Sequence, residues 1–309
     1  MRMRGWLSIV ALALLASLAL ASRGETLYAA TLRDGSNSTA EGEGGALFTV
    51  NPANGAYKLV ATLRIGGKVP VGLTGLSIHP RTGVFFGITA GNSANIPRSL
   101  VTVDPASGHV KLVGSLGHVG SDIRFDTTGV LYIWLTDVNS LGIVDVGTGG
   151  AQPLTEPKSA QTLGGGIAFD RNGRLYFSVN TSAGTLDSWQ PGEALATVGP
   201  IINGAPFVSA IKSMAFSSEG ALYAVNSNLG SPAKARLVTI DVRTGAVTEI
   251  GALPADVDPI AFTATVPAGS SLLLGRPLTD WAALAGALVI GLVLGRLMGR
   301  RRQVERRAA

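Results

Sequence analysis

The chain has 309 residues, 46% of them hydrophobic, with 41 glycines and no cysteine; a disulfide framework is excluded and stability has to come from packing. Its formal charge of +5 is concentrated at the two ends. Residues 25–268 carry 15 Lys and Arg against 18 Asp and Glu, a balance of −3, which removes the main support for nucleic acid as a partner.

Residues 1–21 have the three-part layout of a secretory signal peptide: Arg2 and Arg4, an apolar run from Leu7 to Leu20, and Ala19-Leu20-Ala21 as the cleavage site. Residues 25–268 are written differently. Met214–Phe216, Leu222–Val225, Leu237–Ile240 and Ala246–Ile250 are apolar runs of strand length, separated by turn residues such as Gly220, Asp241 and Gly245. Four strands joined by hairpins make one antiparallel sheet. Aligned on the first run, Ile78, Phe125, Phe169, Phe216 and Phe262 recur at spacings of 47, 44, 47 and 46. A period of about 40–50 residues with four strands per unit predicts a β-propeller. The second run recurs as LYAAT (27–31), VFFGIT (84–89), VLYIWLT (130–136), RLYFSVN (174–180) and ALYAVN (221–226). The third and fourth recur in 47–63, 100–116 and 141–154, with a degenerate copy at 186–200.

The first unit starts at its second strand, and PIAFTATV (259–266) is a first strand with nothing after it. The prediction is therefore an all-β, five-bladed propeller whose C-terminal strand completes blade 1, so that no open edge is left. Residues 269–280 read as a linker. Trp281–Met298 is apolar except for Arg296 and just spans a bilayer, and the arginines of 299–309 set the cytoplasmic side. The expected localisation is exported and membrane-anchored, with the propeller in the periplasm or at the cell surface.

LVTVDPASGHVKLVGSL (100–116) and LVTIDVRTGAVTEIGAL (237–253), each following an LYA-type strand, resemble the exported bacterial propeller repeats written LYxIDPxTGxxxxIGxL, as in DUF4394-like and YncE-like proteins. The resemblance covers roughly 27–264 and implies a fold rather than an activity. The tail, with RPLTDW at 276–281, is similar to the IPTL- and PEP-type C-terminal sorting signals handled by exosortase-like enzymes, one residue shorter than I-P-T-L-S-E-W. A plain membrane anchor is the reading taken.

Strand alternation places the ends of second strands and the starts of first strands on one face, which also carries the insertions 33–45, 91–98 and 226–236. Thr31, Thr89, Thr136, Asn180 and Asn226 would ring that mouth, beside Thr74, Asp122, Lys212 and Asp258. Two readings are open: a ligand site at the channel mouth, or short polar side chains that cap strand ends by bonding to loop backbone. Asp122, Asn180, Asn226 and Asp258 could mimic the calcium set of lactonase-type propeller hydrolases, although no Glu stands at an equivalent position. His79, His109 and His118 lie on separate turns, which disfavours a shared zinc site, and His118 could meet Asp122. Trp134 and Trp189 read as blade packing, and Asp104, Asp145 and Asp241 as turn residues. The functional expectation is a non-enzymatic, cofactor-free binding or scaffolding module for an envelope protein, a polysaccharide or a small ligand. The alternative is a Ca2+-dependent hydrolase.

Overall fold

The computed structural model describes residues 24–34, 44–158, 165–180, 184–201, 203–207, 210–228, 230 and 232–264. The expected signal peptide, linker (269–280), apolar helix and basic tail lie outside them. Every strand-length apolar run forms a strand. β1 (Leu27–Thr31), β2 (Ala46–Val50) and β3 (Tyr57–Thr62) are followed by a short hairpin, β4 (Arg64–Ile65) and β5 (Val69–Pro70). The second sheet is β6 (Gly75–Ile78), β7 (Phe85–Ile88), β8 (Ser99–Val103) and β9 (His109–Ser115). The third is β10 (Gly120–Phe125), β11 (Leu131–Leu135), β12 (Ser140–Val144) and β13 (Ala151–Lys158). The fourth is β14 (Ile167–Phe169), β15 (Leu175–Val179), β16 (Thr185–Trp189) and β17 (Ala196–Pro200). The fifth is β18 (Ala210–Phe216), β19 (Leu222–Ser227), β20 (Ala235–Ile240) and β21 (Val247–Ala252). The last strand, β22 (Val257–Phe262), pairs antiparallel with β1, with Leu27 opposite Phe262, and gives the first sheet the order β22-β1-β2-β3. The expected closure is therefore present. One feature was not expected: β4 adds in parallel to the outer edge of β9, so the second sheet has six strands.

The innermost strands β22, β6, β10, β14 and β18 neighbour one another in a ring. The core is not inside any blade but between blades. Successive side chains of a strand point to opposite faces, and both faces meet a neighbouring sheet, so the runs are almost continuously apolar. Five buried clusters result, one at each seam.

Two recurring contacts explain why the repeat is spelled as it is. The aromatic residue closing four of the five inner strands packs edge-on or tilted against the aromatic residue of the preceding blade's second strand. The pairs are Phe125–Phe86, Phe169–Tyr132, Phe216–Tyr176 and Phe262–Tyr223, with ring centroids 4.9–5.5 Å apart. In three of the five blades a glycine of the fourth strand lies against the next blade's turn between third and fourth strands. A Cβ on Gly114 would sit 2.0 Å from the Thr148 carbonyl oxygen, one on Gly199 2.1 Å from that of Thr244, and one on Gly251 2.4 Å from that of Asn54. The seam between blades 3 and 4 lacks both halves of this contact: β13 contains no glycine, and a Cβ on Gly192 would meet nothing within 4 Å. That seam is filled instead by Trp134 stacked on Phe177 at 4.9 Å, with Trp189 in the same cluster. The degenerate fourth copy thus departs from pattern together with its neighbour, and both tryptophans are blade packing, as expected.

The glycine contact is backbone against backbone, so it has little room to yield. Gly251→Ala is expected to cost about 1–3 kcal/mol through overpacking. Gly150→Ala, whose Cβ would have its nearest neighbour at 3.7 Å, is expected to stay within about 0.5 kcal/mol. Urea midpoints of the two variants, read at constant slope, check the contrast.

Candidate functional site

The channel is shaped by irregularities in the inner strands. Pairing registers shift between Gly120 and Ile123 in β10, between Ile211 and Met214 in β18, and opposite Ala29 and Thr31 in β22. Each shift is a β-bulge, which lets consecutive residues escape the alternation and re-aims a side chain. The bulged residues are Ser121 and Asp122, Lys212 and Ser213, and Asp258 and Pro259. Three expected mouth residues, Asp122, Lys212 and Asp258, therefore belong to the inner strands around the axis.

At mid-channel Asp122, fully buried, meets Arg124, 8% exposed, with 3.4 Å between Oδ2 and Nη2. Every N–H of the guanidinium is used. Nε donates to the Ile167 carbonyl (3.3 Å), Nη1 to the carbonyls of Leu76 (3.2 Å) and Ile260 (3.1 Å), and Nη2 to Asp122 and to Ser213 Oγ (3.3 Å). Asp122 Oδ2 also accepts from the backbone N–H of Ile167 (3.1 Å) and Met214 (3.4 Å), and Ser213 Oγ accepts from Ile260 N–H (3.2 Å). The inner strands are sheet edges whose peptide groups face a channel too narrow to hydrate them freely. One ion pair satisfies groups on all five blades and spans the ring. Burial pushes the Asp122 carboxyl up to about 7, opposed first by Arg124 and then by its N–H donors, and burial lowers the Arg124 pKa.

Towards the insertion-bearing mouth lie Thr74, Ser121, Gly165, Lys212 and Asp258, the equivalent positions of the five inner strands. Thr74 Oγ1 is 3.2 Å from both Asp258 Oδ2 and the Ser121 carbonyl, and Ser121 Oγ donates to the Gly165 carbonyl (2.9 Å). Asp258 Oδ1 is buried without a hydrogen-bond partner, and burial raises this carboxyl to about 6 against the pull of Lys212 and Thr74. A hydroxyl has one hydrogen, so Thr74 shares it between the Asp258 carboxyl and the Ser121 carbonyl. A carboxyl pKa raised by folding from about 3.9 contributes stability that is complete below pH ~4 and lost as pH rises through the folded value. Between pH 4 and 7 the wild type is therefore expected to lose on the order of 2 kcal/mol relative to Asp258→Asn, measured as the difference in denaturation midpoints.

The second-strand ends do not join this ring. Thr31 Oγ1 accepts from Ala46 N–H (2.9 Å). Thr89 Oγ1 accepts from Ser99 N–H (3.0 Å) and donates to the Ile96 carbonyl. Thr136 Oγ1 donates to the Val119 carbonyl (3.2 Å). Asn180 bonds both backbone groups of Ile211, at 2.8 and 3.1 Å, and Asn226 bonds both of Phe207, at 2.8 and 2.9 Å. Each is bonded to nearby backbone: Thr31 and Thr89 to the third strands of their own blades, Thr89 and Thr136 to loop carbonyls, Asn180 to β18 of the next blade and Asn226 to the Phe207 loop. His118 pairs through Nδ1 with Asp137 (2.9 Å), not with Asp122, which is sealed at mid-channel. Among the described residues no three His, Asp or Glu side chains converge to hold a metal.

A cavity of 480 Å3 opens at the opposite end, on the face of the tight turns between first and second strands. Its walls are Ile78, Phe125, Phe169, Phe216 and Phe262, one from each inner strand, and Arg124 and Ser77 also line it. Its rim carries Glu25, Asp170, Arg171 and Ser218. Glu25 accepts from Ser218 N–H (2.7 Å), and Asp170 accepts from Asn172 N–H (2.8 Å) inside its own turn. Neither Arg124 nor this cavity was anticipated. The signal available was an arginine at a position where the other inner strands have Ser77, Ala168, Ala215 and Ala261.

No family model and no curated protein matches the chain. Solved structures do. A chain of a nidogen/laminin complex is 13% identical, with 78% of this chain and 99% of that one covered and a TM-score of 0.50. A gluconolactonase from Xanthomonas campestris is also 13% identical, covering 70% of this chain and 71% of its own at a TM-score of 0.45. At such identity the first likeness speaks to fold alone and the second carries no argument. Together with five four-stranded units closed by β22, it makes residues 24–264 a five-bladed β-propeller.

Proposed function

We propose that this chain is an exported, membrane-anchored binding module, with its ligand site in the cavity on the tight-turn face. The observation that carries the proposal is the commitment of the channel's charges. Asp122, Arg124 and Ser213 are spent on the backbone of the ring, which leaves an aromatic-walled cavity of 480 Å3 beside a saturated plug. A preformed pocket with no poised nucleophile or base suits binding better than turnover. The exported location rests on the signal-like first 21 residues and the apolar stretch 281–298. The nidogen/laminin relative is a propeller seen with a protein partner, which fits the same class of role.

Ligand-observed NMR of the full chain against a fragment library tests the site. Bound fragments are expected to be displaced by Ser218→Trp, a bulky substitution at the exposed rim, and to be unaffected by shortening 91–98. The reverse pattern would move the site to the insertion-bearing mouth. Protease accessibility of the propeller in intact spheroplasts tests the location, and protection there would sink it.

The Ca2+-dependent hydrolase alternative draws on one observation, the unpartnered Asp258 oxygen. The rest of its ligand set does not fit: Asn180 is spent on the backbone of β18, Asn226 on that of Phe207, and Asp122 on Arg124. No step is derived through a metal.

A further inference from the structure

The floor of the tight-turn cavity has a chemistry set by the ring above it. The five N–H bonds of Arg124 radiate in the guanidinium plane to Leu76 on β6, Ile167 on β14, Ser213 on β18, Ile260 on β22 and its own Asp122. Those strands surround the channel, so a planar group bonded to all of them lies across it. One flat face therefore looks towards the cavity that Arg124 lines. No N–H is left to donate downward. What this cation offers a ligand is a flat, weakly hydrated π face rather than a fork of donors.

The walls repeat that preference. Phe125, Phe169, Phe216 and Phe262 surround the floor, four of the five inner-strand ends, with Ile78 as the fifth. Three of these rings are only partly buried, so they retain surface facing the opening. We propose that the cavity recognises a planar, uncharged aromatic ring system, stacked on the Arg124 guanidinium and bordered by the phenylalanines. The proposal rests on the cavity being the ligand site. At the floor a carboxylate or phosphate would need donors that Arg124 has already spent, and the rim's Arg171 stands among the carboxylates of Glu25 and Asp170. A saturated ring of the same size would fill the volume but forgo both the cation–π term and the aromatic edge contacts, a difference of roughly tenfold in affinity.

The test uses the full chain labelled with 15N-arginine, with 2-naphthol and decahydro-2-naphthol as probes of one skeleton and two electronic structures. The expected result is that 2-naphthol binds about tenfold more tightly and shifts the Arg124 Nε–H resonance upfield, as a ring stacked over the guanidinium must. Phe216→Leu and Phe169→Leu, which keep an apolar wall and leave the Arg124 network untouched, should weaken 2-naphthol and spare the saturated analogue. Equal affinities with no upfield shift would overturn the stacking proposal while leaving the cavity as an apolar ligand site. Failure of both probes to bind, or binding that the two Phe variants and Arg124 do not register, would overturn the cavity reading itself.

Discussion

Arg124→Ala is expected to lower the stability of the propeller by about 3–5 kcal/mol, the range for breaking a buried ion pair by removing one partner. Three facts set the size. Asp122 is fully buried and would lose the cation that offsets its desolvation. The carbonyls of Leu76, Ile167 and Ile260 would lose their donor at a depth where water cannot replace it freely. A void the size of the side chain would remain on the axis. Arg124→Lys should recover only part of the loss, because three ammonium hydrogens cannot reach acceptors on every side of the ring. Chemical denaturation of the three proteins measures the order wild type, Lys, Ala. If Arg124→Ala unfolded at the wild-type midpoint, the pair would be an ornament of the channel rather than its keystone.

Removing β22 is the second large effect. Without Val257–Phe262, β1 loses its inner neighbour, blades 1 and 5 lose Val257 and Ile260 from their shared cluster, and the axis loses one Arg124 acceptor. A chain lacking 257–264 is expected to lose its cooperative unfolding transition, and the exposed β1 edge should promote aggregation. The loss should be reversible by topology. In the other blades a short turn such as Asp126–Val130 joins the first strand directly to the second. Placing the 257–262 sequence ahead of Leu27 through a copy of that turn restores the same hairpin from the other end of the chain. The permuted protein should regain a single transition near the wild-type midpoint, whereas continued non-cooperative melting would mean that closure by β22 is not what holds the ring.

Much of the fold was legible because each repeat encodes its contact with the next. The Phe at the end of the first strand and the Tyr of the second are partners in neighbouring blades, as are the fourth-strand glycine and the following turn. Contacts between equivalent positions one period apart survive as a spacing, and spacing can be read in one dimension. Even the failure of the fourth copy was visible, although the matching absence of glycine in β13 becomes meaningful only when the two lie face to face.

The site was less legible, for a geometric reason. Alternation says which face of a strand a residue occupies, but β-bulges at the starts of β10, β18 and β22 cancel that rule where the strands reach the axis. Thr31, Thr89, Asn180 and Asn226 stand at or next to second-strand ends, and only the tertiary structure showed their side chains bonded to the backbone of neighbouring strands and loops. Arg124 was a single unusual letter in one repeat until five strands converged on it. From the sequence alone came what is periodic and local: the strands, the turns, the number of blades and the strand that closes them. The tertiary structure decided what depends on convergence: which side chain fills the axis, which charges are already spent, and at which end the channel stays open, because these arise where five distant segments meet at one point.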